Sequence, residues 1–316
     1  MKEHKIKGNL SFLGSGIGLL ALIVIASIVT KGAFLSFTNI TNVLRQVTIL
    51  GFASLGMTIV ILTGNIDLSI IGNVSMITAV LMQMEFPVLM IIFIVLISGG
   101  LVGLANGLIL NTWKIESFVV TMGMQVICFG LALLFSGSQT VIVDGDLLME
   151  KYSFFKNLAT SRIMGIPAMF IILIGFFILF YLFTKKTKLG RYIYALGGNE
   201  EVSYMSGVNV SFVRASAYVL SGVCAALSGI FMYSRSLCGD PNAGTALGMF
   251  VVAAVVVGGT KMSGGRGCVL YTIIGILIIQ IINNTMNLLG APYQIQQVIQ
   301  GIIILASVII SSSKRR

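Results

Sequence analysis

The sequence predicts an all-α integral membrane protein with about ten transmembrane helices, the third and eighth of them short or broken. Three observations carry the prediction. Of 316 residues, 57% are hydrophobic and only 9% charged, with a mean hydropathy of +1.02, whereas about a quarter of the residues of a soluble domain are charged. Apolar runs recur at 14–30, 43–63, 70–84, 88–112, 118–135, 163–183, 212–233, 247–260, 268–289 and 295–311. Most approach the roughly 20 residues that cross a hydrocarbon core, and 70–84 and 247–260 fall short of it, as broken or re-entrant helices do. The charged residues lie between the runs, and the whole chain, 1–316, reads as a single transmembrane domain.

Taken in order, the N-terminal MKEHKIKGNL has the basic start of a secretory signal but no small-x-small cleavage pattern after the first run, so that run is expected to stay as a helix. The single histidine, His4, belongs to this polar tail. With the N-terminus placed inside, fourteen Lys and Arg fall on the cytoplasmic side, among them Lys185, Lys186, Lys188, Arg191 and the Lys314-Arg315-Arg316 tail. Six fall outside: Lys31, Arg45, Lys151, Lys156, Arg162 and Arg235. The bias puts both termini in the cytoplasm, which an even helix number requires.

Two polar segments are too long for turns. Residues 136–162 are expected outside. Residues 185–211, KKTKLGRYIYALGGNEEVSYMSGVNVS, are expected inside as a glycine-bounded helix. Gly197 and Gly198 break the chain, Asn199 caps the start, Glu200 and Glu201 suit the first turn's dipole, and Gly207 ends it. Glycine and other small residues also recur every fourth position at Gly99, Gly103 and Gly107 and at Ala217, Ser221, Ala225 and Gly229. In lipid such ridges let helix backbones approach closely. A weak internal echo links LTGNIDLS (62–69) with VVGGTKMS (256–263). Cys128, Cys224, Cys238 and Cys268 lack paired spacing and read as packing residues.

The residues exclude several function classes. No HExxH, GxSxG or paired-carboxylate pattern is present, so the chain is not expected to be an enzyme or to hold a metal or cofactor. The absence of GxxxxGK[ST] means that any ATP hydrolysis belongs to a separate subunit. A net charge of +10 without a basic stripe interleaved with aromatics points to lipid head groups and not to nucleic acid. Charge inside the apolar runs is nearly absent, which argues against ion-coupled carriage. Asp67 is the exception, at a break where it either caps the following helix or lines a pathway, with Asn65 and Ser69 sharing its role. Asn106, Thr121, Gln125, Gln280, Asn283, Asn284 and Asn287 are uncharged polar residues within helices, suited either to a neutral hydroxylated solute or to bonds between helices. Of these, Asn106, Thr121, Asn283, Asn284 and Asn287 are the pathway candidates.

Five segments, TGNIDLSIIG (63–72), ANGLILNTWKIESFVVTMGM (105–124), TKLGRYIYALGGNEEVSYMSGVNV (187–210), YVLSGVCAALSGI (218–230) and VVAAVVVGGTKMSGGRGCVLYTIIGILIIQIINNTMNLLG (251–290), resemble in order and spacing the ribose/galactoside/autoinducer-type ABC permease family. The resemblance implies a permease of the bacterial inner (cytoplasmic) membrane that pairs with a second copy or a paralogue. It also implies two ATP-binding subunits on the cytoplasmic side, an extracytoplasmic solute-binding protein outside, and a coupling helix within 190–208. The chain departs from the family's GGIDLSVGS at 64–72, and has Gly248 and Phe250 where members carry Glu and Asp. The expected cargo is a monosaccharide or related small polar solute. Nucleoside or branched-chain amino-acid permeases, and a carrier or facilitator acting alone, are the competing readings.

Overall fold

The computed structural model describes residues 2–142, 153–292, 294–299, 301–303 and 305, with side chains from residue 16 onward. The tail at 314–316, part of the 136–162 segment and much of the last apolar run lie outside the described residues. The described residues are mostly helical: α1 (Lys2–Val29), α2 (Phe37–Leu62), α3 (Ser69–Gln83), α4 (Val88–Trp113), α5 (Ser117–Ser136), α6 (Ser153–Thr160), α7 (Ala168–Lys186), α8 (Lys188–Gly198), α9 (Glu200–Met205), α10 (Val210–Ser236), α11 (Phe250–Val257) and α12 (Val269–Leu288). Among the described residues six helices, α2, α4, α5, α7, α10 and α12, are long and apolar enough to cross a membrane. The count of about ten is therefore met only in part. The shorter apolar helices include α3 and the 243–257 segment, the two short elements that the apolar runs foretell.

Polarity sorts the helices between centre and edge. In α2 83% of the most apolar window is buried at a mean hydropathy of 1.6, against 22% at 2.8 in α4 and 17% at 2.2 in α5. A helix facing lipid must be apolar on its outer side, whereas an enclosed helix can keep hydroxyls and amides that find partners inside. Leu89, Phe93, Leu101, Leu108, Val126 and Leu134 accordingly turn outward. Buried Thr58 meets Thr272 of α12 at 2.9 Å, hydroxyl to hydroxyl.

α10 is the central partner, packed on α2, α3 and α4. The two small-residue ridges divide the work. A Cβ on Gly103 would fall 2.0 Å from the Tyr218 carbonyl oxygen, and one on Gly107 2.6 Å from Ala215 Cα. The second ridge meets α2 and α3: Gly56 lies against Ser221 and Cys224, and Gly229 against Ile77. Replacing Gly103 with Val is expected to force α4 off α10 and to remove most folded protein from the membrane. Overpacking of this kind costs about 1–3 kcal/mol or more. Membrane abundance and detergent melting should both fall.

Helix starts explain the differences from the apolar runs. α2 begins at Phe37, six residues before its run, because the Ser36 side chain accepts from the Asn39 N–H (3.4 Å) and Asn39 pairs inward. Arg45 lies well inside α2, and Arg235 lies in the last turn of α10. α7 begins at Ala168, after the hairpin that pairs Arg162–Ile163 with Ile166–Pro167. The 136–162 segment is also structured where described. Its strand Val141–Ile142 pairs antiparallel with Cys238–Gly239, and α6 sets Phe155 edge-on to Tyr233 at 5.3 Å.

Candidate functional site

Between α2 and α3 the backbone leaves the helix, and its polar groups are taken up by side chains, as an interruption at membrane depth requires. The Ile66 N–H donates to Ser117 Oγ (3.2 Å), and the Ile66 carbonyl accepts from Tyr218 (3.2 Å) and Thr121 (3.4 Å). Asp67 is fully buried. Its Oδ1 accepts from the Ser69 N–H (3.1 Å) and hydroxyl (2.5 Å), and its Oδ2 from Ser221 of α10 (2.7 Å). Asn106 of α4 donates to the Ser69 hydroxyl at 2.8 Å. Asp67, Ser69, Asn106 and Thr121 thus form one buried cluster joining four helices, and none of them lines either of the two cavities described below.

Loss of the Asp67 carboxylate would strand the Ser69 N–H and the Ser221 hydroxyl. A buried polar group left unsatisfied costs about 1–3 kcal/mol. Asp67→Ala is expected to lower thermal stability and uptake together, and Asp67→Asn, which keeps an acceptor and can donate, to do so less. A melting curve beside an uptake assay checks this.

At the Leu62 end of α2 lies the glycine-bounded segment. Asn199 is extended at φ −165° and its side chain accepts from the Val202 N–H at 2.9 Å, starting α9 with Glu200 and Glu201 in the first turn. Gly207 stands at φ +79° and its N–H bonds the Tyr204 carbonyl at 2.9 Å, which ends the turn. Gly197 and Gly198, by contrast, do not break the chain, since both belong to the last turn of α8. The need for Gly197 is close approach: a Cβ there would lie 2.0 Å from the Leu62 carbonyl oxygen and 2.5 Å from the Gly265 nitrogen. The Gly265 N–H donates to that same carbonyl at 3.0 Å, and a Cβ on Gly264 would lie 2.6 Å from the Gly64 nitrogen. Three backbones, after α2, at the end of α8 and in the 258–268 loop, therefore touch without side chains between them. The two echo segments abut here. Tyr194 of α8 adds a bond to the Gly267 carbonyl (3.0 Å), and burial pushes its phenol up from the ordinary tyrosine range.

α9 is held to the bundle by Arg214, whose guanidinium pairs with Glu200 (2.5 Å) and donates to Asn111 of α4 (3.0 Å). On its free side Val202, Tyr204 and Met205 are 58%, 73% and 77% exposed. An apolar patch rimmed by charge on a short, capped helix has the make-up of a protein contact.

Two cavities open at opposite ends of α10. One, of about 780 Å³, is lined by Asn65, Asn111, Lys114, Glu200, Glu201 and Arg214 among others. The other, of about 480 Å³, is lined by Gln46, Arg235, Gln280, Asn283, Asn287 and Gln296 among others. Asn283 and Asn287 thus face a cavity. Asn284 does not: it is buried and exchanges two hydrogen bonds with Asn39 of α2, at 2.8 and 2.9 Å. Gln46, Arg235 and Gln296 were not among the expected pathway residues. Gln46 and Gln296 lie within apolar runs and Arg235 just beyond one, a signal that gains meaning only when α2, α10 and α12 meet. Gln280 bonds Gln46 across the cavity, and Gln296 donates to Asn287 at 2.9 Å.

The chain matches over residues 39–308 the family described as branched-chain amino acid transport system / permease component. It is 37% identical to the ribose import permease protein of Bacillus subtilis, across 99% of this chain and 96% of that one. It is 35% identical to the ribose import permease protein of Haemophilus influenzae, across 93% and 91%. The D-allose transport system permease protein of Escherichia coli is 33% identical across 92% and 88%. No solved structure matches.

Proposed function

This chain belongs to the branched-chain amino acid transport system / permease component family, and on that premise we propose that it is the multi-pass permease of an ABC importer for a sugar-like solute. In this reading it works in the bacterial cytoplasmic membrane with about ten spans as one permease unit, beside a second copy or a paralogue. It receives solute from a binding protein outside and couples to ATP-binding subunits inside. The observation that carries the reading is α9. It is capped at both ends, tied to α10 and α4 through Arg214, and set with Gly197 against the end of α2. A short rigid element so joined can pass a rigid-body movement into the bundle, where a floppy loop would dissipate it.

Sugar cargo is supported by the ribose and allose relatives, which match nearly the whole chain. The family's description names branched-chain amino acids, which stand as the second reading. Asn65, Glu200, Glu201 and Arg214 would then edge an inner cavity and Asn283 and Asn287 an outer one, while Asp67, Ser69, Asn106 and Thr121 hold the helix break between them. Ser206, exposed just after α9, gives the test. A cysteine there should cross-link to the ATPase and resist impermeant reagents in intact cells. Labelling from outside, or no cross-link in an active complex, would refute the assignment.

A further inference from the structure

The 480 Å³ cavity has an unusual balance of charge. Its walls carry the amides Gln46, Gln280, Asn283 and Asn287 and the guanidinium of Arg235, and among the described residues no carboxylate lines it. Gly248 and Phe250 complete the wall beside Arg235. A second arginine, Arg45, directly precedes Gln46 on α2. The Nε of Arg45 is buried and has no hydrogen-bond partner among the described residues.

The Arg235 guanidinium thus stands in this wall with no described carboxylate to balance it. An anion entering the cavity would supply that countercharge. The planar guanidinium fork suits carboxylate and phosphate oxygens in pairs, and the surrounding amides can both donate to and accept from hydroxyls.

We propose that this cavity receives the anionic group of a polyhydroxylated solute, so that the importer carries a sugar acid or sugar phosphate. The inference rests on the permease reading above and narrows its substrate class. Arg235 holds the carboxylate or phosphate, and the Gln and Asn side chains hold the hydroxyls.

The test uses the permease bound to its ATPase in phosphatidylcholine nanodiscs, with labelled D-gluconate as probe and D-glucose and D-ribose 5-phosphate as competitors. D-gluconate should bind, D-ribose 5-phosphate should displace it, and D-glucose should not. Arg235→Gln, at an exposed position that folding tolerates, should weaken D-gluconate binding about tenfold or more, as loss of a charge-assisted bond does, while Arg235→Lys should keep part of it. Equal displacement by D-glucose, no D-gluconate binding, or unchanged binding in Arg235→Gln would overturn the proposal. Phosphatidylglycerol discs separate the other source of phosphate: binding that persists there supports a solute site. Binding abolished by that lipid shows that head groups occupy Arg235, and overturns it. Should the importer still drive ATP-dependent uptake of a neutral sugar while D-gluconate neither binds nor enters, this inference falls and the importer reading stands. Absence of any ATP-dependent uptake would bring down both.

Discussion

Changing Glu200 and Glu201 together to Lys is expected to abolish ATP-driven uptake while leaving the permease in the membrane at near-normal levels. Both glutamates are exposed in the first turn of α9, so the fold loses little. The local consequences are larger. Two cations would sit at a helix start, where the dipole disfavours them by about 0.3–1 kcal/mol each. The Glu200→Lys change would set an ammonium against Arg214 in place of the present ion pair, releasing α9 from α10 and α4. The sign of the surface presented beside Val202, Tyr204 and Met205 would also reverse, and like-charge juxtaposition suppresses a protein contact more than it alters a fold. The double variant should therefore fail to co-purify with the ATPase and lose the stimulation of hydrolysis by the loaded receptor. Coupling energies between sites commonly amount to about 5–150-fold, and uptake should fall within or beyond that span. Full uptake with a retained ATPase would remove α9 from the coupling role.

Gly197→Ala is expected to cause an equally large loss of uptake by a different route. Its methyl group would lie 2.0 Å from the Leu62 carbonyl oxygen and 2.5 Å from the Gly265 nitrogen, backbone atoms that cannot rotate aside. α8 must move off the end of α2, and the Gly265 to Leu62 hydrogen bond (3.0 Å) is lost. Overpacking of this size costs about 1–3 kcal/mol. The capping and exposed face of α9 are untouched, so the ATPase should still bind and hydrolyse ATP, while its movement no longer reaches the α2–α3 break. Retained ATPase with lost uptake distinguishes this variant from the Glu200/Glu201 pair. Gly198→Ala is the control: a Cβ there meets nothing within 4 Å, and uptake should be unchanged. Equal damage from both alanines would show that the segment tolerates no side chain at all and would dismiss the backbone contact as the link.

These expectations show which parts of the molecule were legible in the residues. The apolar runs locate the helices because lipid imposes one rule, that a buried backbone must bond itself, on every span. The capping of α9 was legible for a related reason: Asn199, the two glutamates and Gly207 act within a few residues of one another. The glycine ridges announced close packing but not their partners, which only the folded bundle assigns. Gly197 was misread as a breaker because the atoms that exclude its side chain, at Leu62 and Gly265, are far away in the chain. The start of α2 at Phe37, ahead of the run at 43–63, was not legible, because the polar stretch Thr38 to Asn42 masks it and it depends on Ser36 just before it and on Asn284 across the bundle. The second oxygen of Asp67 is taken by Ser221, 154 positions away, a partner that no local pattern announces.

Uptake into proteoliposomes holding this chain with the ATPase and solute-binding protein proposed as its partners tests the central claim most directly. The solute that the binding protein retains should accumulate only when ATP is supplied to the side bearing α9 and the binding protein to the other, and accumulation should persist when an ionophore collapses the membrane potential. Accumulation or equilibration of that solute through this chain alone, without ATP or the ATPase, would contradict it.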